Sequence, residues 1–112
     1  MEAGNALTAD SAINASLLKD HLISEEIAGG HAFGKHVLQQ GEFPGITTPL
    51  EFSSEIENFL NSPGTISREL SKGRTAYWND ATGTVLIRNP AAPDGGTFFR
   101  PKAGIDYFRS LK

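Results

Sequence analysis

The chain has 112 residues, which is enough for one domain with a hydrophobic core and too few for two. Its composition, 38% hydrophobic and 21% charged, is that of an ordinary globular domain, and no apolar run approaches the roughly 20 residues that a membrane-spanning helix needs. Because the chain has no cysteine, disulfides, cysteine zinc sites and a cysteine nucleophile are excluded.

The net charge of −3 is divided unevenly along the chain. Residues 1–62 hold nine carboxylates and two lysines, a net charge of −7, whereas residues 63–112 hold eight basic and four acidic side chains, a net charge of +4. The total charge disfavours a nucleic-acid partner, but phosphate binding depends on local charge. The basic second half therefore indicates an anionic partner on that side.

The first half of the chain is typical of helices. Residues 1–9 are expected to form a flexible lead-in left by excision from a longer protein. A helix is predicted over Asp10–Ile27, with Asp10 or Ser11 as its cap, and Gly29-Gly30 ends it. Its apolar stripe is expected at three positions, Ile13, Leu17 and Leu22.

A second helix is predicted over residues 31–39, in the stretch GGHAFGKHVLQQ. Helical spacing places Phe33 and Val37 on one buried stripe and His36 at its edge, and His31 falls in the first turn. Two histidines five positions apart do not share a helical face well, and no nearby carboxylate completes a ligand set, so a two-histidine metal clip is disfavoured. The alternative interpretation of each histidine is an ordinary helix-surface side chain or a semi-buried imidazole whose hydrogen bonds are satisfied.

The third helix has a local start signal. After a stop near Gly41, Phe43 is expected to fill the core from a tight turn. Thr48 is then the predicted N-cap, Pro49 the first helical residue and Glu51 the partner in a capping box. Four apolar residues follow at helical spacing and are expected to pack on the sheet, namely Phe52, Ile56, Phe59 and Leu60. Residues 65–72 fit a short strand or a turn.

Residues 73–101 are predicted as three short antiparallel strands, Arg74–Trp78, Thr84–Arg88 and Thr97–Arg100. Their residues are β-branched and aromatic, and Asn, Asp, Gly and Pro mark the loops between them. Alternation gives each strand one face with polar groups able to hold a phosphate. The alternative is that the arginines are ordinary solvent-facing residues of an amphipathic sheet. With a last helical turn in residues 101–112, the prediction is an α+β fold in which N-terminal helices pack on a small twisted antiparallel sheet.

The chain lacks the sequence motifs of P-loop nucleotide hydrolases, dinucleotide oxidoreductases, serine hydrolases and zincins. Its histidine, arginine and hydroxyl side chains instead suit RNA cleavage without a metal, in which the substrate 2′-OH attacks the neighbouring phosphorus. Histidine, with an unperturbed pKa of about 6.5, can transfer the protons, and arginine and threonine can hold the phosphorane oxygens. Tyr77 or Trp78 would stack on a splayed base, although Trp78 fits the core equally well.

Four segments of the chain carry a resemblance: GGHAFGKHV, EFPGI, SKGRTAYWNDATGTVLIRNP and GGTFFRPKAGIDYF. They resemble the C-terminal toxin domains of bacterial contact-dependent growth inhibition and related polymorphic toxins. More narrowly, they are similar to small ribonuclease domains with the barnase, EndoU, colicin D and RelE type of fold. The resemblance assigns residues 29–112 to the ribonuclease toxin domain and leaves residues 1–28 as a lead-in and N-terminal helix. The peptide motif that usually precedes such domains is missing, consistent with excision from a longer chain.

The resemblance implies an antibacterial endoribonuclease that needs no cofactor and has tRNA as its expected substrate. Such a domain is the C-terminal part of a large secreted or cell-surface toxin and acts in the cytoplasm of the target bacterium, without inserting into a membrane itself. A cognate immunity protein neutralises it in the producing cell. The acidic net charge departs from what a freestanding tRNase suggests, and it leaves open a host translation factor as a further partner that holds the substrate.

In such toxins a histidine of an N-terminal helix acts with arginine, threonine and sometimes tyrosine of the sheet. Matched position by position, the catalytic candidates are His31, His36, Arg74, Tyr77, Arg88 and Thr97. His36 is expected to act as general acid or base and His31 in the complementary role, with Arg74 and Arg88 on the phosphate and Thr97 orienting it. Substrate binding is assigned to Trp78, Arg100 and Thr75.

Two rival functions stay open at this point. One is a non-catalytic RNA- or protein-binding module, in which the basic sheet docks an anionic partner and the histidines are dispensable. The other is a toxin with different nucleotide-directed chemistry, such as NAD cleavage. A metal-dependent DNase fits less well, because the basic half has no clustered carboxylate and histidine ligands.

Overall fold

The computed structural model describes the backbone of residues 2–112 and the side chains of residues 14–112. Within that backbone the chain forms three α-helices, one π-helix and a four-stranded sheet, with a short 3₁₀ turn at Ser71–Gly73. In chain order the elements are α1 (Glu2–Ala28), the π-helix (Phe33–Gln39), α2 (Pro49–Asn61), β1 (Thr65–Glu69), β2 (Thr75–Asn79), β3 (Thr84–Arg88), β4 (Gly96–Phe99) and α3 (Ile105–Ser110). The predicted α+β class is confirmed. None of these helices is both long and apolar enough to cross a membrane.

The four strands form one antiparallel meander in the order β1-β2-β3-β4. The predicted hairpin joins β2 to β3, and the Asn79 side chain shapes its loop by accepting hydrogen bonds from the backbone N–H groups of Ala81 and Thr82, at 3.0 and 3.3 Å. Residues 65–72, which fitted either a strand or a turn, contain the edge strand β1. β3 has the predicted bounds, and the other two predicted strands are displaced by one residue.

Side chains alternate between two hydrophobic clusters on opposite faces of the sheet, as the period-two pattern predicts. One face packs on α1 and α2 and contributes Leu86 and Phe98 to the larger cluster. Phe43 stacks on Phe98 with ring centroids 5.2 Å apart, so its predicted place in the core is confirmed. The other face, with Ala76, Trp78 and Val85, packs on Phe108 of α3.

The N-terminal helix differs from the prediction. It begins at Glu2, so the predicted lead-in over residues 1–9 and a cap at Asp10 or Ser11 are wrong. Leu17 and Leu22 of the predicted apolar stripe are 46% and 55% exposed, and the Ile13 side chain lies outside the described residues. The core instead receives Ile23, Ser24, Ile27 and Ala28, because among the described side chains of α1 those of the last turns pack against α2 and the sheet.

α2 begins as its sequence predicts. The Thr48 hydroxyl accepts the Glu51 backbone N–H at 3.2 Å, and the Glu51 carboxylate accepts the Thr48 N–H at 3.1 Å, which completes the capping box. The same carboxylate also accepts hydrogen bonds from the backbone N–H and the hydroxyl of Thr47. These hydrogen bonds hold the pKa of Glu51 below its usual value. Phe52, Ile56 and Phe59 are buried, so the predicted packing face is confirmed.

The sheet is anchored at its two ends by different contacts. At the start of β4, a Cβ on Gly96 would lie 1.9 Å from the carbonyl oxygen of Ile87, so only glycine fits there. At the β1 side, the Arg68 guanidinium donates to the carbonyl oxygens of Phe108 and Leu111 at 2.6 and 2.7 Å and thereby fastens α3 to the sheet.

Candidate active site

The helix that was predicted over residues 31–39 is wound as a π-helix from Phe33 to Gln39. The backbone N–H of Gln40 donates to the carbonyl oxygen of Lys35 at 3.0 Å, five residues back, as this winding requires. Residues five positions apart are therefore brought above one another, and Lys35 and Gln40 line the same cleft. Single π-helical turns occur often at functional sites.

His36 lies within this turn, with its side chain only 7% exposed. Its Nδ1 lies 2.6 Å from Oε2 of Glu42, so the imidazole donates Nδ1–H to the carboxylate. Gly41, with φ of 60°, reverses the chain directly before Glu42. The Glu42 backbone N–H then donates to the His36 carbonyl oxygen at 2.9 Å, so Glu42 holds His36 through both its side chain and its backbone.

Glu42 is itself fixed to the end of β4. Its second carboxylate oxygen accepts the backbone N–H of Arg100 at 2.7 Å, and its carbonyl oxygen accepts Nη1 of Arg100 at 2.9 Å. The guanidinium lies over the Phe43 ring at 4.6 Å and approaches the Thr84 hydroxyl at 3.4 Å. These contacts orient both Glu42 and Arg100 before any ligand is present.

The His36 ring stacks on Phe99, with ring centroids 4.8 Å apart and planes inclined by 14°. No residue in the described part of the chain hydrogen-bonds to Nε2, and Nε2 is not enclosed. Nε2 is therefore the nitrogen available to a ligand. The adjoining cleft has a volume of about 610 Å³ and is lined by Lys35, His36, Gln40, Glu42, Phe99, Arg100, Pro101 and Lys102.

His31 is at the other end of β4 and pairs with a different carboxylate. Its Nδ1 bonds to Oδ2 of Asp94, and this hydrogen bond lowers the pKa of Asp94 below its usual value. The His31 side chain is 54% exposed. Arg88 lies nearby, since its Nη1 contacts Glu26 at 2.6 Å and the Gly95 carbonyl oxygen at 3.2 Å. His31 does not line the cleft that contains His36.

The remaining catalytic candidates on the sheet are dispersed. Arg74 donates to the backbone carbonyl oxygens of Ser71 and Lys112 and so fastens the last residues of the chain to the turn before β2. Tyr77 lies on the face that packs on α1, where burial raises its pKa above the ordinary value. Thr97 lies on the opposite face, and its hydroxyl is buried without a partner among the described residues.

The three residues assigned to substrate binding also lie in different parts of the structure. Trp78 is 2% exposed and packs on Phe108, while its indole N–H donates to Asp80 at 3.3 Å. Thr75 lies in a second, mainly apolar cavity of about 480 Å³ between α1 and the sheet, which Tyr77 and Arg88 also line. Arg100 alone of the three lines the cleft with His36.

Sequence reasoning missed Glu42, Phe99 and the two cleft lysines, Lys35 and Lys102. One signal could have found Glu42, because it follows the glycine that ends the helix of His36, and a chain reversal there returns the next side chain to that helix. Across the described side chains, no group of three or more histidine, aspartate or glutamate residues is arranged to hold a metal ion.

A comparison with known protein families finds none that matches the chain, and a comparison with curated proteins finds no significant match. The geometry of the cleft is therefore the basis for a functional proposal.

Proposed function

We propose that the chain is the endoribonuclease domain of an antibacterial toxin and that it cleaves RNA without a metal ion. One observation carries the proposal: His36 is held by Glu42 through Nδ1 and presents Nε2 to a cleft with three basic residues and one carboxylate. A positioned imidazole beside cationic groups suits phosphodiester transesterification, because the reaction needs proton transfer and stabilisation of an anionic phosphorane.

Glu42 determines which nitrogen of His36 reacts. Because the carboxylate accepts Nδ1–H, the neutral imidazole carries its lone pair on Nε2. Nε2 removes the proton of the substrate 2′-OH, the 2′-oxygen forms a bond to phosphorus, and the bond from phosphorus to the 5′-oxygen breaks. The products are a 2′,3′-cyclic phosphate and a 5′-hydroxyl, whose oxygen takes up a proton from water, while the protonated His36 returns its proton to the solvent. This assigns His36 the role of general base.

Arg100 is the group best placed to stabilise the phosphorane. Two of its five N–H donors are engaged with Glu42 and Thr84 in the described structure, which leaves others for phosphate oxygens. Its guanidinium is already oriented by Phe43, so little conformational entropy is lost when it binds the phosphate. His31, Arg74, Arg88, Tyr77 and Thr97 stay predictions of the sequence resemblance; none of them lines this cleft, and no step above uses them.

The biological setting of the proposal is supported by the sequence resemblance alone. It comprises tRNA as the substrate, a cognate immunity protein in the producing cell, a host translation factor as an optional partner, and the cytoplasm of the target bacterium as the place of action.

The proposal is tested by incubating the purified chain with total bacterial RNA, with and without EDTA, and resolving the products on a denaturing gel. We expect discrete fragments of tRNA size that persist in EDTA and carry 2′,3′-cyclic phosphate ends. Loss of cleavage in EDTA would contradict the metal-independent mechanism. RNA that stays intact, even after addition of cell extract, would favour a non-catalytic binding module or a different toxin chemistry.

A further inference from the structure

Two lysines from different segments of the chain line the cleft that contains His36. Lys35 belongs to the π-helix, and Lys102 belongs to the connection between β4 and α3. Both side chains are exposed, and neither forms an ion pair with any residue that the structure describes. Glu42 is the one carboxylate in the lining, and it is already engaged by His36 and by the Arg100 backbone. The positive charge of the two lysines is therefore not neutralised within the cleft.

This local charge is opposite to that of the first half of the chain. Residues 1–62 hold nine carboxylates, no arginine and only two lysines, Lys19 and Lys35, and one of these two is in the cleft. At the other end of β4, by contrast, Arg88 is neutralised by Glu26, and His31 is paired with Asp94. A concentration of positive charge on an acidic protein attracts anionic ligands to that place rather than to the surface in general.

The burial of His36 limits which nucleic acids can react. Its side chain is 7% exposed, so a 2′-OH reaches Nε2 only if the nucleotide enters the cleft. A nucleotide that is splayed out of a loop or an end can do so, whereas a nucleotide in a duplex must first be unstacked and unpaired. The volume of about 610 Å³ is that of a site for a small ligand and not for a double helix.

From these observations we propose that the cleft binds a single-stranded segment of RNA, and that Lys35 and Lys102 each neutralise one phosphate beside the bond that is cut. The proposal rests on the proposed ribonuclease function and adds to it the class of RNA and two binding residues. The lysines act on affinity, since each binds a phosphate in the ground state and in the transition state alike.

The test uses a single-stranded RNA oligonucleotide that is 2′-O-methylated throughout, because the blocked 2′-oxygen prevents cleavage. Its dissociation constant is measured by fluorescence anisotropy between about 50 and 200 mM salt, the range over which phosphate contacts strongly change affinity. The variants are Lys35→Gln, Lys102→Gln and the double variant. Lys72→Gln is the matched control, since Lys72 is exposed at the turn before β2 and lines neither the cleft with His36 nor the cavity between α1 and the sheet.

Each single cleft variant is expected to weaken binding and to reduce the slope of log K against log salt by about 0.7, and the double variant by about 1.4. The loss of affinity between 50 and 200 mM salt then becomes about 2.5-fold smaller for each lysine removed. Lys72→Gln should leave the affinity and the slope unchanged. A fully base-paired 2′-O-methyl duplex should not displace the labelled strand.

The proposal is overturned if wild-type protein does not bind the single strand at 50 mM salt, if the duplex competes equally well, or if the cleft variants behave like Lys72→Gln. These results are independent of cleavage. If the slopes change as expected but natural RNA stays intact, the ribonuclease proposal fails and the binding proposal stands. If natural RNA is cut but the slopes do not change, the ribonuclease proposal stands and the proposed role of the two lysines fails.

Discussion

Two histidine–carboxylate pairs lie at opposite ends of β4. They share the same chemical groups but differ in burial and in the charges around them. His31 with Asp94 is at the start of the strand and is largely exposed. His36 with Glu42 is at its end, where the imidazole is buried against Phe99. Each pair has a neighbouring arginine, but Arg88 is paired with the Glu26 carboxylate, whereas the Arg100 guanidinium donates only to uncharged oxygens in the described structure.

The difference shows that a hydrogen-bonded imidazole does not define a site by itself. At the His31 end, Glu26 neutralises Arg88, and the His31 ring is 54% exposed although it bonds to Asp94, so little of that end is shielded from water. At the His36 end, the ring is held by the hydrogen bond to Glu42 and by the stack on Phe99, and its free nitrogen adjoins a cleft with excess positive charge. Preorganised dipoles and charges in a partly desolvated cleft are what catalysis requires.

The largest expected effect comes from removing the two imidazoles separately. We expect His36→Ala to reduce RNA cleavage about a hundredfold to ten-thousandfold, the usual contribution of general acid–base catalysis. His31→Ala is expected to retain most of the activity, because His31 does not line the cleft. Cleavage rates on a defined RNA provide the measurement, with circular dichroism and urea unfolding as checks on the fold.

If His36→Ala does not fold, His36→Gln retains most of the side-chain volume and keeps the experiment informative. Full activity in either folded variant would remove His36 from the mechanism. Equal losses for His31 and His36 would instead show that both ends of β4 act together, as the sequence resemblance implies.

A smaller effect is expected from the two carboxylates. Glu42→Gln keeps an acceptor for Arg100 but removes the negative charge that orients Nδ1–H, which is worth about 1.5–3 kcal/mol. This corresponds to a loss of roughly 10- to 150-fold in kcat. KM should be unchanged, because Glu42 positions a base and its side chain is engaged with His36 and Arg100. Asp94→Asn is the matched control, and a proportional rise in KM for Glu42→Gln would point to a role in binding instead.

The smallest expected effect concerns stability against pH at the His31 end. The hydrogen bond from His31 lowers the pKa of folded Asp94, so its stabilisation is fully present above the unfolded value of about 3.9 and is lost as the pH falls through the lower folded value. Urea unfolding of wild type and Asp94→Asn should differ by about 0–1 kcal/mol at pH 7, and the difference should vanish at lower pH. In the His31→Ala background Asp94→Asn should have no such effect, and a persistent difference would assign the stabilisation to another partner.

Local signals in the sequence were sufficient to predict much of the fold. The capping box of α2 depends on residues three positions apart, and the β2–β3 hairpin depends on a loop whose Asn side chain bonds to its own backbone. The faces of the strands followed from alternation, because a period of two leaves no choice once one residue is buried. His36 was also named as a candidate, from its place at the edge of the predicted apolar stripe and from the sequence resemblance.

The prediction of which face of the N-terminal helix is buried was wrong, for a reason that the sequence of the helix does not contain. Leu17, Leu22, Ile23 and Ile27 are all suitable core residues, and helical periodicity alone allows more than one stripe. The burial of Ile23 and Ile27 depends on where α2 and the sheet meet the helix, which is at its last turns.

The sequence by itself determined the α+β class, most strand positions, the start of α2 and the presence of imidazole, guanidinium and hydroxyl groups suited to phosphate chemistry. Only the tertiary structure decided which of these groups meet. Glu42 reaches His36 because a π-helical turn and the reversal at Gly41 bring it back, and Arg100 reaches Glu42 because β4 ends beside that turn. The contact with β4 depends on the relative placement of elements that are distant in the chain, and local propensity carries no information about that placement.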